Sequence, residues 1–143
     1  MTIPRFRKRL SANDVGTTGG HQGGILVPRG EKELLAILPT LNPDVKNPDA
    51  WLECIDDVGN SLRFRFVYYN NKLHDDGGTR NEYRITHMTG WFRDLGAKEG
   101  DEFEISNAPR ANVYSIRIKS KGITDSGTEQ GMRIRLTGWR RIH

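Results

Sequence analysis

The chain has 143 residues, 28% of them charged and 35% hydrophobic, with a formal net charge of +4. That is the size of one domain with its own core, and no apolar run approaches the roughly 20 residues that cross a bilayer. The single cysteine, Cys54, excludes an internal disulfide and suits a reducing interior, and the four histidines show no metal-site spacing.

The chain begins "MTIPRFRKRL", where Arg5, Arg7, Lys8 and Arg9 crowd together without the apolar segment of a secretion signal. Arg133, Arg135, Arg140 and Arg141 crowd the other end. Clustering of this kind attracts polyanions, and a solvated basic face with a basic terminus is the plainer alternative. Next comes "NDVGTTGGHQGG", with five glycines and one apolar side chain in twelve residues. Its short or planar polar groups are Asn13, Asp14, Thr17, Thr18, His21 and Gln22, preceded by Ser11. Glycines let a backbone approach a ligand closely and offer free N–H groups to phosphate oxygens; the alternative is a surface loop without a partner.

Further along, "EKELLAILP" predicts a helix with Leu34, Leu35 and Leu38 on one side, stopped by Pro39. A second short helix is expected around Trp91 to Leu95, closed near Gly96. The strongest strand signals are alternations. In "SLRFRFVYYN", Leu62, Phe64, Phe66 and Tyr68 oppose Arg63 and Arg65. "VYSIRIKSK" and "GMRIRLTGW" repeat the pattern, and "GILVP", "WLECIDD", "NEYRIT" and "DEFEIS" are weaker candidates. Seven short strands with two helices predict a mainly β domain, a barrel or a strongly bent sheet whose rim loops are free to bind.

Signatures of catalysis are missing. There is no G-x-S-x-G elbow, and the Gly-rich loop lacks the lysine of a phosphate-binding P-loop. The Pro-Asp pairs in "LNPDVKNPDAW" lack the following carboxylate and lysine of a metal-dependent nuclease and read as turn chemistry. The acidic pairs Asp56-Asp57 and Asp75-Asp76 fall at strand ends and loops.

The informative segment is "NNKLHDDGGTRNEYRIT", residues 70–86. Arg80, Asn81, Glu82, Tyr83 and Arg84 include the groups that read base edges. Arg pairs with guanine O6 and N7, Asn with adenine N6 and N7, and Glu accepts from cytosine N4. Alternation sends Arg80, Glu82 and Arg84 to one side, Asn81 and Tyr83 to the other. An edge strand with cross-strand ion pairs fits the same pattern, and chemistry alone leaves both readings open.

"RLSANDVGTTGGHQGGILVP" and "YYNNKLHDDGGTRNEYRIT" together resemble the N-terminal effector-DNA-binding domain of EcoRII-like type II restriction endonucleases, and the "ANDxGxTGGHQ" pattern is long and specific. "GWFRDLGAKEGDEFEI" is similar, more loosely, to plant B3 DNA-binding domains. The resemblance implies a B3-like seven-stranded open pseudobarrel with two short α-helices, one domain over residues 1–143. It consists of a basic lead (1–9), an N-arm (10–24) and a C-arm (70–86), the two arms entering the major groove of double-stranded DNA.

Carried over by position, the base-reading candidates are Asn13, Asp14, His21, Gln22, Arg80, Asn81, Glu82, Tyr83 and Arg84. The backbone candidates are Arg5, Arg7, Lys8, Arg9, Ser11, Thr17, Thr18, Lys72 and Thr79. Gly78 stands where the family pattern has a lysine before "TR", and Tyr83 where it has another, so the target can differ from the CC(A/T)GG-like site the family suggests. The resemblance further implies a bacterial, cytoplasmic, monomeric domain that takes one duplex and no small molecule, membrane or cofactor. Mg2+ belongs to a separate catalytic domain, which makes a fragment of a longer enzyme the expectation. A free-standing B3-like regulator and a small metal-dependent nuclease are the alternatives.

Overall fold

The computed structural model describes residues 3–16, 24–107, 113–120 and 138–142. Along the chain run β1 (Arg5–Arg9), α1 (Ala12–Val15), β2 (Ile25–Val27), α2 (Lys32–Ile37), β3 (Asp49–Asp56) and β4 (Ser61–Tyr69). They are followed by α3 (Asn71–His74), β5 (Glu82–Thr86), α4 (Thr89–Leu95), β6 (Glu102–Asn107), β7 (Val113–Lys119) and β8 (Trp139–Ile142).

The strands form one sheet in the order β2-β5-β4-β3-β7-β6-β1-β8. Among the described residues, only the β3–β7 pairing is parallel. Alternation sets its two faces. In β4, Phe64, Phe66 and Tyr68 turn inward and are buried while Arg63 and Arg65 turn outward. In β7, Tyr114 and Ile116 turn inward, opposite Ser115 and Arg117. The core gathers around Phe6, Phe64, Trp91, Phe103 and Trp139, with Phe103 meeting Trp91 and Trp139 edge-on at 6.0 and 6.2 Å. Buried Cys54 lies beside the Glu53 carboxylate; burial first, then that charge, pushes its thiol up to about 12, far from a reactive thiolate.

The sheet curls until its two edges meet. Trp139 in β8, fully buried, donates its indole N–H to the Leu26 carbonyl of β2 at 2.8 Å. Among the described residues, a side chain bridges the edges where a closed barrel would have a backbone ladder.

Eight strands are present among the described residues, not the seven expected. β1 escapes a sequence reading because its inward positions are Phe6 and Lys8, and a buried lysine spoils the apolar period. Its buried partner is Asp14, 2.6 Å from Lys8 Nζ. β8 is four residues long with basic Arg140 and Arg141, and the expected strand "GMRIRLTGW" lies outside the described residues except for Gly138 and Trp139. Four helices are present among the described residues, where two were expected. α2 and α4 match the expected pair, with Gly96 closing α4 at φ 68°. α1 and α3 are single turns of four residues each.

Asp56 ends β3 and caps the following turn, accepting from the Val58 and Asn60 amides and from Trp91 Nε1. On the opposite part of the sheet, Glu104 is buried between Arg7 (2.8 Å) and Arg117 (3.1 Å). Burial works to raise the Glu104 carboxyl, and the hydrogen bonds and charges of the two arginines outweigh it and hold it low. A carboxylate lowered on folding stabilises the protein above its unfolded value and loses that contribution as pH falls through the folded one. Glu104→Gln is therefore expected to lower the melting temperature at neutral pH. Calorimetry should show the gap shrinking as pH drops below about 4, where both proteins lack the charge. A gap independent of pH would mean that the carboxylate contributes nothing through its charge.

Candidate nucleic-acid interface

Strand β5 positions the centre of the site. Its inward side chains are Tyr83, stacked on Tyr68 at 4.3 Å and Phe66 at 5.5 Å, and Ile85, fully buried. Fixing those two sends Glu82 and Arg84 to the outer face. Arg80, just before the strand, lies with its guanidinium over the Tyr69 ring at 3.9 Å. Glu82 Oε2 receives Arg80 Nη2 at 3.3 Å and also pairs with Arg84 Nε. One carboxylate oxygen therefore organises two arginines into a row. Burial tends to raise the Glu82 carboxyl, and the hydrogen bonds and charges of Arg84 and Arg80 overcome it, keeping it ionised and low.

The expected division of "RNEYR" is the one present. Arg80, Glu82 and Arg84 share the outer face, while Asn81 accepts a hydrogen bond from the Tyr68 hydroxyl and Tyr83 stacks inward. Burial, and then the neighbouring Tyr68, raise the Tyr83 hydroxyl, which stays neutral.

The loop carrying Arg80 is rooted on Asn70, fully buried at the end of β4. Its side-chain amide donates to the Pro43 and Val45 carbonyls (3.2 and 2.9 Å), and its Oδ1 accepts the Asn47 amide at 2.7 Å. Asn47 returns the bond to the Asn70 amide at 3.1 Å from a left-handed backbone, φ 50°, which asparagine tolerates. Asn71 Oδ1 then accepts the Arg80 amide at 2.8 Å, folding the loop back over α3. Gly78 is held there so closely that a Cβ would stand 2.2 Å from the Asn71 carbonyl oxygen. The Gly78 departure from the family pattern is thus built into this turn: a lysine would require α3 to move. Lys72 and Thr79 are exposed on the same loop.

The second loop starts from β1. Ser11 caps α1, its Oγ accepting from the Asp14 amide while Asp14 Oδ2 accepts from the Ser11 amide, a reciprocal capping box. Asp14 Oδ2 also holds Lys8 Nζ. Asp14 and Lys8 are therefore buried against each other at the foot of the loop, whereas Ser11 and Asn13 are exposed. Thr17, Thr18, His21 and Gln22 lie outside the described residues. The loop returns at Gly24, whose φ of +82° and 2.1 Å Cβ approach to the Ile85 carbonyl oxygen admit no side chain. The Gly24 carbonyl accepts from Arg84 Nη1 at 3.0 Å, so Arg84 joins both loops.

Of the basic lead, Arg7 is engaged with Glu104, while Arg5 and Arg9 face outward. A sequence reading misses Tyr69 beneath Arg80 and the Gly24 carbonyl. Tyr69 carried a signal, since the alternation of β4 puts it on the same outer face as Arg63 and Arg65.

Fold and site together define a mainly β domain with a curled sheet, whose polar row on one strand is framed by two loops anchored through buried polar clusters. The chain belongs to the family described as "Restriction endonuclease EcoRII, N-terminal", which matches residues 1–101. It is also 42% identical over 89 residues to the type II restriction enzyme EcoRII of Escherichia coli, a match covering 57% of this chain and 20% of that enzyme.

Proposed function

We propose that this domain binds double-stranded DNA sequence-specifically, with residues 10–24 and 70–86 entering the major groove as two arms. It acts as the effector or target-recognition domain of a type II restriction endonuclease whose catalytic residues lie in another domain. The observation that carries the reading is the outward Arg80–Glu82–Arg84 row tied to the other arm at Gly24. Family membership supports it.

Each arginine offers a fork that matches guanine O6 and N7, and Glu82 accepts from cytosine N4, a combination suited to a G·C-containing site. Pre-ordering by Tyr69 and Glu82 spares the binding step the cost of immobilising Arg80. His21, Gln22 and Asn13 supply the N-arm's reading groups. Asp14, buried with Lys8, shapes that arm's foot. Asn81, held by Tyr68, and stacked Tyr83 do the same for the other arm. The architecture is that of a B3-like pseudobarrel, a reading favoured by the indole bridge between the edge strands. One monomeric domain takes one duplex in the bacterial cytoplasm. Binding needs no metal, Mg2+ serving only the separate catalytic domain.

Selection on randomised duplexes, followed by titration of target and scrambled DNA with chelator present, tests this reading. Arg80→Ala is expected to cost roughly 1–3 kcal/mol on the target and to relax preference at one base pair. An unchanged ratio between target and scrambled duplex would refute the base-reading role of Arg80. Cleavage of plasmid by the pure chain with magnesium would refute the non-catalytic assignment.

A further inference from the structure

The outer face of β8, β1, β6 and β7 is a second charged surface, of which the two-arm reading uses only the basic lead on β1. Across the strands, Arg140, Arg7, Glu104 and Arg117 stand side by side, and Arg9, Glu102 and Lys119 form the adjacent row, with Arg5 beyond. Six cations face two carboxylates, a surplus of four that equals the formal net charge of the entire chain. The remaining residues therefore balance to zero formal charge, and this face carries a positive excess of its own.

Both carboxylates are already taken: Glu104 by Arg7 and Arg117, Glu102 by Arg140 at 2.7 Å. Arg5, Arg9 and Lys119 have no carboxylate partner among the described residues, unlike Arg80 and Arg84, which share Glu82. The Arg80–Glu82–Arg84 row suits reading of bases, and the cations of this face are a field for phosphates.

Its position adds to the argument. The Trp139–Leu26 bond sets β8 beside β2, so β5, β2, β8 and β1 follow one another around the curl. Arg9 also ends β1 where the N-arm begins.

We infer that this face holds the phosphodiester backbone of the same duplex, outside the base pairs the arms read. The inference rests on the proposed duplex binding. The test uses the triple variant Arg5→Gln, Arg9→Gln, Lys119→Gln, whose folding is checked by its melting temperature. Affinity is measured against salt for the full chain, on a short duplex covering the selected site and on one extended by about a helical turn at each end. The expected result on the extended duplex is a log–log salt slope shallower by about 2–3 and an affinity at least about tenfold lower. A smaller loss is expected on the short duplex, and preference for the target should be retained.

A wild-type chain that selects its target while the variant keeps the same slope on the extended duplex would overturn this inference and leave the two-arm reading standing. Two duplexes bound per wild-type chain, and one per variant, would overturn it in favour of a second DNA segment. A wild-type chain that binds no duplex overturns both.

Discussion

Arg84→Ala is expected to weaken binding of the target duplex by on the order of 100-fold or more, the largest single loss at the interface. The size follows from three roles held by one side chain. In the proposed two-arm binding its fork reads a base. Its Nε completes the pair with Glu82, which also holds Arg80. Its Nη1 donates to the Gly24 carbonyl at the foot of the other arm. Removing it takes away one reader, loosens the second and frees the N-arm, so the loss should exceed that for Arg80. Scrambled duplex should suffer much less, because charge is only part of what Arg84 supplies. Arg84→Lys restores that charge without a planar fork, and it is expected to recover non-specific affinity but not selectivity. Equal losses on target and scrambled DNA would reduce Arg84 to a phosphate contact.

The largest stability effect is expected at Asn70, where Asn70→Ala should cost about 3 kcal/mol in urea denaturation. The residue is fully buried, and its side chain serves the Pro43 and Val45 carbonyls and the Asn47 amide. Truncation strands all three while leaving a cavity. Each stranded group costs ~1–3 kcal/mol where water cannot reach it, and the exposure of the 42–46 turn moderates the total. Because the same side chain roots the C-arm, binding should weaken in parallel. Asn70→Asp keeps the acceptor but loses the donors and sets a charge against two carbonyls, and it should be no better tolerated than Ala. A cost under about 1 kcal/mol would mean that the turn docks by other means.

How much of this was legible depended on whether a residue's partner is near in sequence. The strands β4 and β7 announce themselves because consecutive residues oppose apolar to cationic, and the split of Arg80, Glu82 and Arg84 from Asn81 and Tyr83 follows from the same period. β1 was illegible because Lys8 occupies an inward place that only Asp14, beyond the strand, makes tenable. The turn α3 was hidden because its Asn71 acts on Arg80, nine residues away across a glycine loop. For the site, residue types were readable but their occupancy was not. Asp14 looks like a reading group and is spent on Lys8, while Tyr69 is outward by its period and only the fold sets it beneath Arg80.

The indole bridge at Trp139 bears on how this protein behaves in a crowd. An open sheet exposes a row of unsatisfied amides and carbonyls at each end, an invitation for strands of other chains to add on. Here the two ends guard one another. β8 and β2 face one another across a seam that the Trp139 indole N–H joins to the Leu26 carbonyl, and both described edge strands are short, so neither offers a long template for self-association. A continuous ladder would protect equally well, yet it would draw β1 and β2, the two feet of the N-arm, to a fixed strand spacing. Joining the seam through a side chain gives resistance to aggregation while leaving that arm its spread.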